Sequence, residues 1–468
     1  MSRHMNWTRT PLFGLSAAVL LFLCLTFPSR AADSLTWRRA PDRVDAEIEG
    51  WPLPRLLQQI SDATGWDVYL QPETELPRPV SVRFKNVPIG EALGKLLGSL
   101  NYALAPQTNG PAKLFVFRTA LGAATELFRR EKPKSGKPIP DELIVSLKPR
   151  GGNMDDLARR LGGKIVGRED TLRAYRLKFP DEAAAQAARA SLSGNSDVAL
   201  LDYNYPVLRP PAPDLAGGAG APALSIKPGA GPDASRLIIG LIDTPVQPLG
   251  SPYKEFLLPA LSVMGEAPAD DQTLRHGSSM LETILRGLEQ APQANRPTPV
   301  RILPVDVYGS SDTTTTFEVA RGIVAAINHG AAIINLSLAG DGDSQFLHNI
   351  ITQGFDRGVL FVAAAGNEPT TTPTYPAAYP EVLAVTAGTP QTGQIAPWAN
   401  YGAFVDVVGP GTSLVDFGGR TFRVTGTSVS TAYVAGFAAG LSVSRGAKPI
   451  NSVKNLLPYF SLSPTPRP

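Results

Sequence analysis

Between Arg236 and Arg445 the chain alternates near-continuous apolar runs with amphipathic stretches, and this alternation narrows the possible folds more than any other feature. Leu237–Ile242, Val300–Val305, Ala332–Leu338 and Leu360–Ala364 lack a polar face, which suits strands buried on both sides. Between them, Gly277–Leu288, Phe317–Asn328 and Gln345–Asp356 read as helices. Strand and helix in turn predict an α/β fold, an open parallel sheet with helices on both faces. In such a sheet, sites form at the C-terminal ends of the strands.

Two smaller α+β units precede this block. In the first, Val44, Ala46 and Ile48 alternate as a half-buried strand, and Leu56, Leu57 and Ile60 then recur at helical spacing with Gly65 as the C-cap. Strands follow at Trp66–Leu70 and through Val80, Val82 and Phe84. A second amphipathic stripe runs from Ile89 to Leu100, and Asn109-Gly110 marks a hairpin. In the second unit the order reads βαββαβ: Leu143–Leu147, a helix from Met154 to Leu161, a short strand after Gly163, Leu172–Phe179, a helix opened by Pro180-Asp181-Glu182, and Val198–Asp202. From Pro210 to Asp233 the chain is mostly Pro, Gly and Ala, which predicts a flexible linker.

The first residues form a different kind of segment. Arg3 and Arg9 precede an apolar run from Leu12 to Phe27, and Ser29, Ala31 and Ala32 follow, the pattern of a secretory signal peptide. The run is short for a membrane span, which needs about 20 residues. The formal charge of +3 falls to zero once Arg3, Arg9 and Arg30 are removed. A neutral chain gives no ground for nucleic-acid binding. The single cysteine, Cys24, lies in this segment too, so the remainder has no thiol for catalysis, disulfides or thiolate metal sites. The expected divisions are 1–32 signal peptide, 43–118 first unit, 141–207 second unit, 208–234 linker, 235–446 main domain and 447–468 tail.

Four polar residues stand where chemistry could occur. Asp243 closes the strand-like phrase LIIGLIDT, His276 sits in RHGSSM just before a helix, Asn367 follows a buried run in FVAAAGNE, and Ser428 opens a helix in GTSVSTAYVAG. Taken singly, each also fits a plain structural use: Asp and Asn form turns, and Ser caps helices. The rival histidines, His329 at a helix C-terminus and His348 within a helix, read as structural, and Ser430 and Thr431 fall inside the last helix. Taken together, the residues supply what peptide-bond hydrolysis by serine requires: nucleophile, base, orienting carboxylate and oxyanion donor.

The order Asp, His, Asn, Ser at spacings of 33, 91 and 61 residues resembles the subtilisin family, as do INLSLAG, AAAGN, YPAAYPEVLAVTAG, NYGAFVDVVGPGT and GTSVSTAYVAG. The resemblance implies a seven-stranded parallel sheet and a serine endopeptidase with Asp243, His276 and Ser428 as triad and Asn367 as oxyanion donor. Ser337, Leu338 and Ala339 would pair with an extended peptide, Ala364, Ala365 and Gly366 would line the cleft, and Thr374 would shorten the specificity pocket. The chain departs from the family at Pro245, Ser278, Ala339 and Ala432, none of which removes a catalytic group. Many subtilases bind calcium through scattered oxygens, so a structural calcium is compatible with the resemblance. Asp341-Gly342-Asp343 lacks the length of an EF-hand loop, and no metal ligand or other cofactor is assigned.

The phrases DELIVSLKP, LARRLGGKIVG and VALLDYNYPV resemble the inhibitor-type propeptide that precedes many subtilases. That implies a precursor cut by itself between Tyr205 and Ser235, with the segment after Tyr205 lying in the cleft. EIEGWPLPRLLQQISDATGWDVYL and VSVRFKNVPIGEALGKLLGSLNYAL resemble the short N-terminal domain of secretins and TonB-dependent receptors, a periplasmic interaction module. The expected partners are protein or peptide substrates, the chain's own propeptide and an envelope protein, in the periplasm or outside the cell. An interaction protein built on a latent protease scaffold is the competing reading.

Overall fold

The computed structural model describes residues 34–39, 42–71, 74, 79–106, 112–124, 126–127, 136–210, 214–215, 220–229, 237–247, 253–265, 273–292, 297–390, 393–456 and 459–462. The expected signal peptide and the Asn109-Gly110 hairpin tip lie outside the described residues. The chain divides into two compact units, Met1–Lys132 and Pro133–Pro468.

The first unit holds β1 (Ser34–Arg39), β2 (Asp42–Trp51), α1 (Leu53–Thr64), β3 (Asp67–Leu70), β4 (Val80–Pro88), α2 (Ile89–Leu97), β5 (Asn101–Ala105), β6 (Lys113–Phe117) and β7 (Glu126–Leu127). Two sheets form, β1-β2-β4 and β5-β6-β3-β7. The helical stripe Leu56, Leu57 and Ile60 is fully buried against Leu93, Leu96 and Leu97 of α2. Gly65 ends α1 in the left-handed conformation, φ 74°, as its place after the apolar stripe predicts. The strands β1 and β7 fall outside the expected limits 43–118. In β1 the alternation is a single pair, Leu35 and Trp37, before two arginines, and β7 is only two residues long.

The second unit opens with β8 (Glu142–Leu147), α3 (Met154–Arg160), β9 (Lys164–Glu169), β10 (Ala174–Lys178), α4 (Glu182–Leu192) and β11 (Val198–Tyr203), the βαββαβ order, in an antiparallel sheet β11-β8-β10-β9. Asp181 caps α4 by accepting the N–H of Ala184 at 2.8 Å. Two short strands follow, β12 (Pro206–Leu208) and β13 (Asp214–Leu215).

The main layer contains β14 (Leu237–Asp243), β15 (Leu261–Ser262), α5 (His276–Gln290), β16 (Val300–Asp306), β17 (Thr313–Thr315), α6 (Thr316–Asn328), β18 (Ala331–Leu336), α7 (Gln345–Asp356), β19 (Leu360–Ala364), β20 (Val382–Gly388), β21 (Val407–Pro410), β22 (Thr412–Phe417), β23 (Arg420–Thr425), α8 (Thr427–Arg445) and β24 (Ser461–Leu462). Its sheet runs β15-β16-β14-β18-β19-β20-β21-β24. The first seven of these are parallel and β24 adds antiparallel to β21. One face packs against α5 and α8, the other against α6 and α7, with separate apolar cores on the two sides. Every residue of β16, β19 and β20 is buried, which is why those sequences carry no polar face.

Two expectations are corrected. The stretch 208–234 is not an unstructured linker in its described parts: β12 pairs with β17, β13 pairs with β23, and residues 220–229 pack on the main layer. The stretch 447–468 is not a tail in its described parts, because Leu456 and Phe460 are buried and β24 completes the sheet. Pro and Ala in the first and short polar runs in the second hid these contacts, which are made by backbone and by single apolar side chains.

Candidate active site

Asp243 is the last residue of β14, at the C-terminal edge of the parallel sheet. Its carboxylate is buried at 1% exposure, and Oδ1 accepts the Thr244 N–H at 2.7 Å. Both carboxylate oxygens lie 2.9 Å from Nδ1 of His276. An ionised carboxylate at that distance favours the tautomer protonated at Nδ1, which leaves Nε2 as a proton acceptor. His276 begins α5, and the turn below it is pinned from two sides. Gly277 donates its N–H to Thr244 Oγ1 at 2.8 Å, and Ser278 Oγ accepts the Gln247 N–H at 2.8 Å. The serine at 278 thus uses the hydroxyl it shares with threonine, and Pro245 sits between these anchors without disturbing them.

Ser428 is the second residue of α8. Gly426, at φ 152°, makes the turn from β23 into this helix in a conformation that side chains resist. The helices α5 and α8 run side by side in the same direction. Gly436 lies on Ile284, each eight residues beyond Ser428 or His276, and Gly440 lies on Leu288 four residues further along. A Cβ on Gly436 would stand 1.8 Å from the Ile284 carbonyl oxygen, so only glycine allows this approach. His276, the first residue of α5, is held at the end of β14 by Asp243, and Ser428, the second residue of α8, is held just beyond β18 by Ser337, so both stand at the C-terminal edge of the sheet. The Ser428 hydroxyl, however, donates to the Ser337 carbonyl at 3.0 Å, while Ser337 Oγ donates to the Ser428 carbonyl at 2.9 Å. Among the described residues no hydrogen bond joins Ser428 to His276.

Asn367 follows β19, and its side-chain amide has a fixed sense. Its Oδ1 accepts the Thr427 N–H at 2.9 Å and the Thr427 hydroxyl at 3.1 Å. Both partners donate, so Nδ2 points the other way, 3.5 Å from where a Gly426 Cβ would be. Thr427 Oγ1 also accepts the Gly366 N–H at 3.1 Å. Thr427 is therefore a positioning residue that the sequence reading passed over, although it stands inside the GTS phrase.

Of the other candidate cleft residues, Ala364 and Ala365 are buried at the end of β19, Leu338 is buried, and Ala339 is partly exposed beside it. Thr374 is 5% exposed and donates to the Ala365 carbonyl at 2.7 Å. The strand β12 lies along β17 in antiparallel register, Pro206 opposite Thr315, Val207 opposite Thr314 and Leu208 opposite Thr313. Arg209 continues the ladder by donating to the Asp312 carbonyl at 2.8 Å. On its other side the Pro206 carbonyl is 3.5 Å from where a Gly340 Cβ would stand. The small antiparallel domain docks on the starts of two helices. Asp202 Oδ2 accepts from Ser344 Oγ and Phe346 N at the start of α7, and Asn204 Oδ1 accepts from Thr316 Oγ1 and Phe317 N at the start of α6. Sequence pattern had no means to single out Asp202 and Asn204, which act across a domain contact.

His329 Nδ1 lies 2.8 Å from the Ala325 carbonyl, and His348 Nε2 lies 2.9 Å from Glu381 with its ring stacked on Tyr379. Both have structural partners away from Asp243. Among the described residues no three His, Cys, Asp or Glu side chains gather as a metal site. Around Asp341-Gly342-Asp343, burial and the nearby Glu368 raise the Asp341 carboxyl, and Tyr205 lies close against Gly342. Subtilases commonly bind a structural calcium; among the described residues no set of three such ligands gathers here.

Residues 235–457 match the subtilase family, and residues 125–204 match the fervidolysin N-terminal prodomain. Subtilisin Savinase from Lederbergia lenta is 33% identical over 195 residues, which cover 39% of this chain and 70% of that protein. The chain belongs to the subtilase family. Thermitase from Thermoactinomyces vulgaris is 38% identical over 152 residues, covering 32% of this chain and 54% of its own, and the thermophilic serine proteinase of Bacillus sp. (strain AK1) is 39% identical over 144 residues, 30% and 36%. The subtilase chain thus spans only part of the length of these relatives. Fervidolysin from Fervidobacterium pennivorans, a keratinolytic enzyme related to subtilisin, shares the fold at 19% identity and TM-score 0.52 over 69% of this chain and 58% of that one. The epidermin leader peptide processing serine protease of Staphylococcus aureus shares it at 16% identity and TM-score 0.53, over 67% and 92%.

Proposed function

We propose that this subtilase is an exported serine endopeptidase made as a precursor that its own prodomain inhibits and that it cuts itself. The observation that carries this reading is the buried Asp243–His276 pair at 2.9 Å, with Ser428 at the start of α8 on the same edge of the sheet. For catalysis the Ser428 hydroxyl leaves the Ser337 carbonyl for Nε2 of His276. Ser428 Oγ then bonds to the substrate carbonyl carbon as its proton passes to Nε2. Collapse of the tetrahedral intermediate breaks the C–N bond, and the imidazolium protonates the leaving amine. Water repeats the sequence on the acyl-enzyme. Asn367 Nδ2 and the Ser428 N–H donate to the oxyanion; the second N–H of a helix has no partner within it and is open for this use.

The wall residues are Ser337, Leu338, Ala339, Ala364, Ala365, Gly366 and Thr374, and the strand β12 holds the place of substrate along β17 in the precursor. Residues 1–32 direct export to the periplasm or outside the cell. The first unit docks to an envelope protein as a module of the secretin and TonB-receptor type, a reading supported by its order of strands and two packed amphipathic helices.

The latent-scaffold reading draws on one observation, the Ser428 hydroxyl turned to Ser337. A fluorophosphonate probe separates the two. Labelling of the processed protein that vanishes in Ser428→Ala supports the enzyme, and a folded, processed protein that does not label refutes it.

A further inference from the structure

We infer that residues 220–229 belong to the mature protease and that the cut freeing the prodomain lies upstream of Gly220. The family match begins at residue 235, and the composition of this stretch is that of a linker. Its contacts are those of a built part of the fold. Ile226 is 6% exposed and sits in the core between α5, α8 and the sheet, with Leu224 packed beside it. Pro228 bridges Thr298 in parallel, Thr298 donates to the Lys227 carbonyl at 2.9 Å, and Gly229 donates to the Thr298 carbonyl at 2.7 Å. The guanidinium of Arg301, a largely buried residue, reaches the Gly229 carbonyl at 2.6 Å. This ladder extends the sheet side of the fold by backbone bonds that need no apolar pattern to form.

The near end of the stretch fastens the two elements that carry the reacting groups. Ala221 donates its N–H to Asp416 Oδ1 at 3.3 Å, and Arg286 Nη1 donates to the Pro222 carbonyl at 2.9 Å. Asp416, on β22, also accepts from Thr421 of β23 and donates its N–H to Glu282 of α5 at 2.9 Å. Glu282 in turn pairs with Arg286. The helix α5 begins with His276, and β23 leads through Gly426 into Ser428. Residues 221–222 therefore close a knot between the helix of the base and the hairpin that delivers the nucleophile. A cut at 230–236 would leave these residues on the departing side, empty the Ile226 site and break the knot. A cut before Gly220 spares all of it.

The inference rests on the self-processing reading above, and two measurements on the full chain separate them. The first is the intact mass and N-terminal sequence of the fragment that labels with fluorophosphonate after processing. A start at or before Gly220 is expected, and a start after Gly220 overturns the inference. The second uses the Ser428→Ala chain, which does not process, and compares melting of Ile226→Ala, Ile226→Val and Lys227→Ala. Emptying a core site of this kind should lower the midpoint for Ile226→Ala by roughly 5–10 °C, with Ile226→Val in between. Lys227, an exposed side chain, should leave it unchanged. A melt indifferent to Ile226→Ala overturns the inference. Absence of a processed fragment refutes self-processing and with it the placing of the cut, while a large Ile226 effect still shows that the segment is a built part of the fold.

Discussion

Asp202 is the place to test whether the prodomain holds the protease closed. It lies on β11 at 8% exposure, and its Oδ2 receives Ser344 Oγ at 2.8 Å and the Phe346 N–H at 2.9 Å from the start of α7. A carboxylate at a helix N-terminus gains from the aligned peptide dipoles as well as from the two bonds. Hydrogen bonds to a charged group contribute about 1.5 kcal/mol each at the low end of their range. Losing both in Asp202→Ala costs about 3 kcal/mol, or roughly 100-fold in the ratio of docked to undocked prodomain. Asp202→Asn keeps one good acceptor and should lose about tenfold. The side chain's bond within its own domain, from the Tyr203 N–H, is a single neighbouring contact, so the prodomain should still fold. The assay is the rate at which full-length protein reacts with a fluorophosphonate, since only undocked molecules expose the cleft beside β17. Asp202→Ala should label roughly 100-fold faster than wild type, and Ser428→Ala should not label. Equal rates for wild type and Asp202→Ala would show that this contact does not hold the closed state.

Other outcomes can be checked on the same material. His276→Ala should remove nearly all hydrolysis, and Asp243→Asn should fall nearly as far by releasing the tautomer, both read as kcat on a peptide substrate. Asn367→Ala should lose roughly 10²–10³ in kcat with little change in KM, a range known for this donor in subtilisin itself rather than worked from this geometry. Thr374→Gly should move a peptide-library profile toward Phe and Tyr by ~1–3 kcal/mol, and a wild-type profile already dominated by those residues would contradict the role given to Thr374. Burial raises the Glu282 carboxyl, outweighing the Asp416 N–H and Arg286, which lower it. A carboxyl raised in the folded state binds its proton more tightly there, so its ionisation costs stability as pH rises through the folded value. The melting midpoint of Glu282→Gln relative to wild type should therefore climb between acid and neutral pH, and a flat or falling difference would reverse the sign assigned here.

The parts of this molecule that were legible in its sequence share one physical cause. A strand buried on both faces cannot contain a polar side, so β14, β16, β18 and β19 announced themselves as apolar runs, and the helices between them by their stripes. Candidate residues at the strand and helix ends followed, because a chain that buries its strands leaves chemistry only to their margins. The N-terminal limit of α5 is a case where position and chemistry coincide, His276 being both the first helical residue and the partner of Asp243.

What stayed hidden is held by backbone or acts across a domain contact. The strands β12 and β13 are three and two residues long and pair through main-chain groups, which any non-proline residue supplies. Residues 220–229 look like a linker because six of the ten are Pro, Gly or Ala, yet a ladder to Thr298 and one isoleucine in a core site suffice to order them. The hydroxyl of Ser428 is the sharpest instance. Its place at the start of α8 was readable from Gly426 and the helix that follows, but its direction depends on Ser337, ninety-one residues away and brought close by β18. Composition and period describe what a segment can bury; which acceptor a buried hydroxyl takes is decided only when the sheet has closed around it, and on the mechanism proposed above a second choice, His276, would separate a cleft at rest from one poised to react.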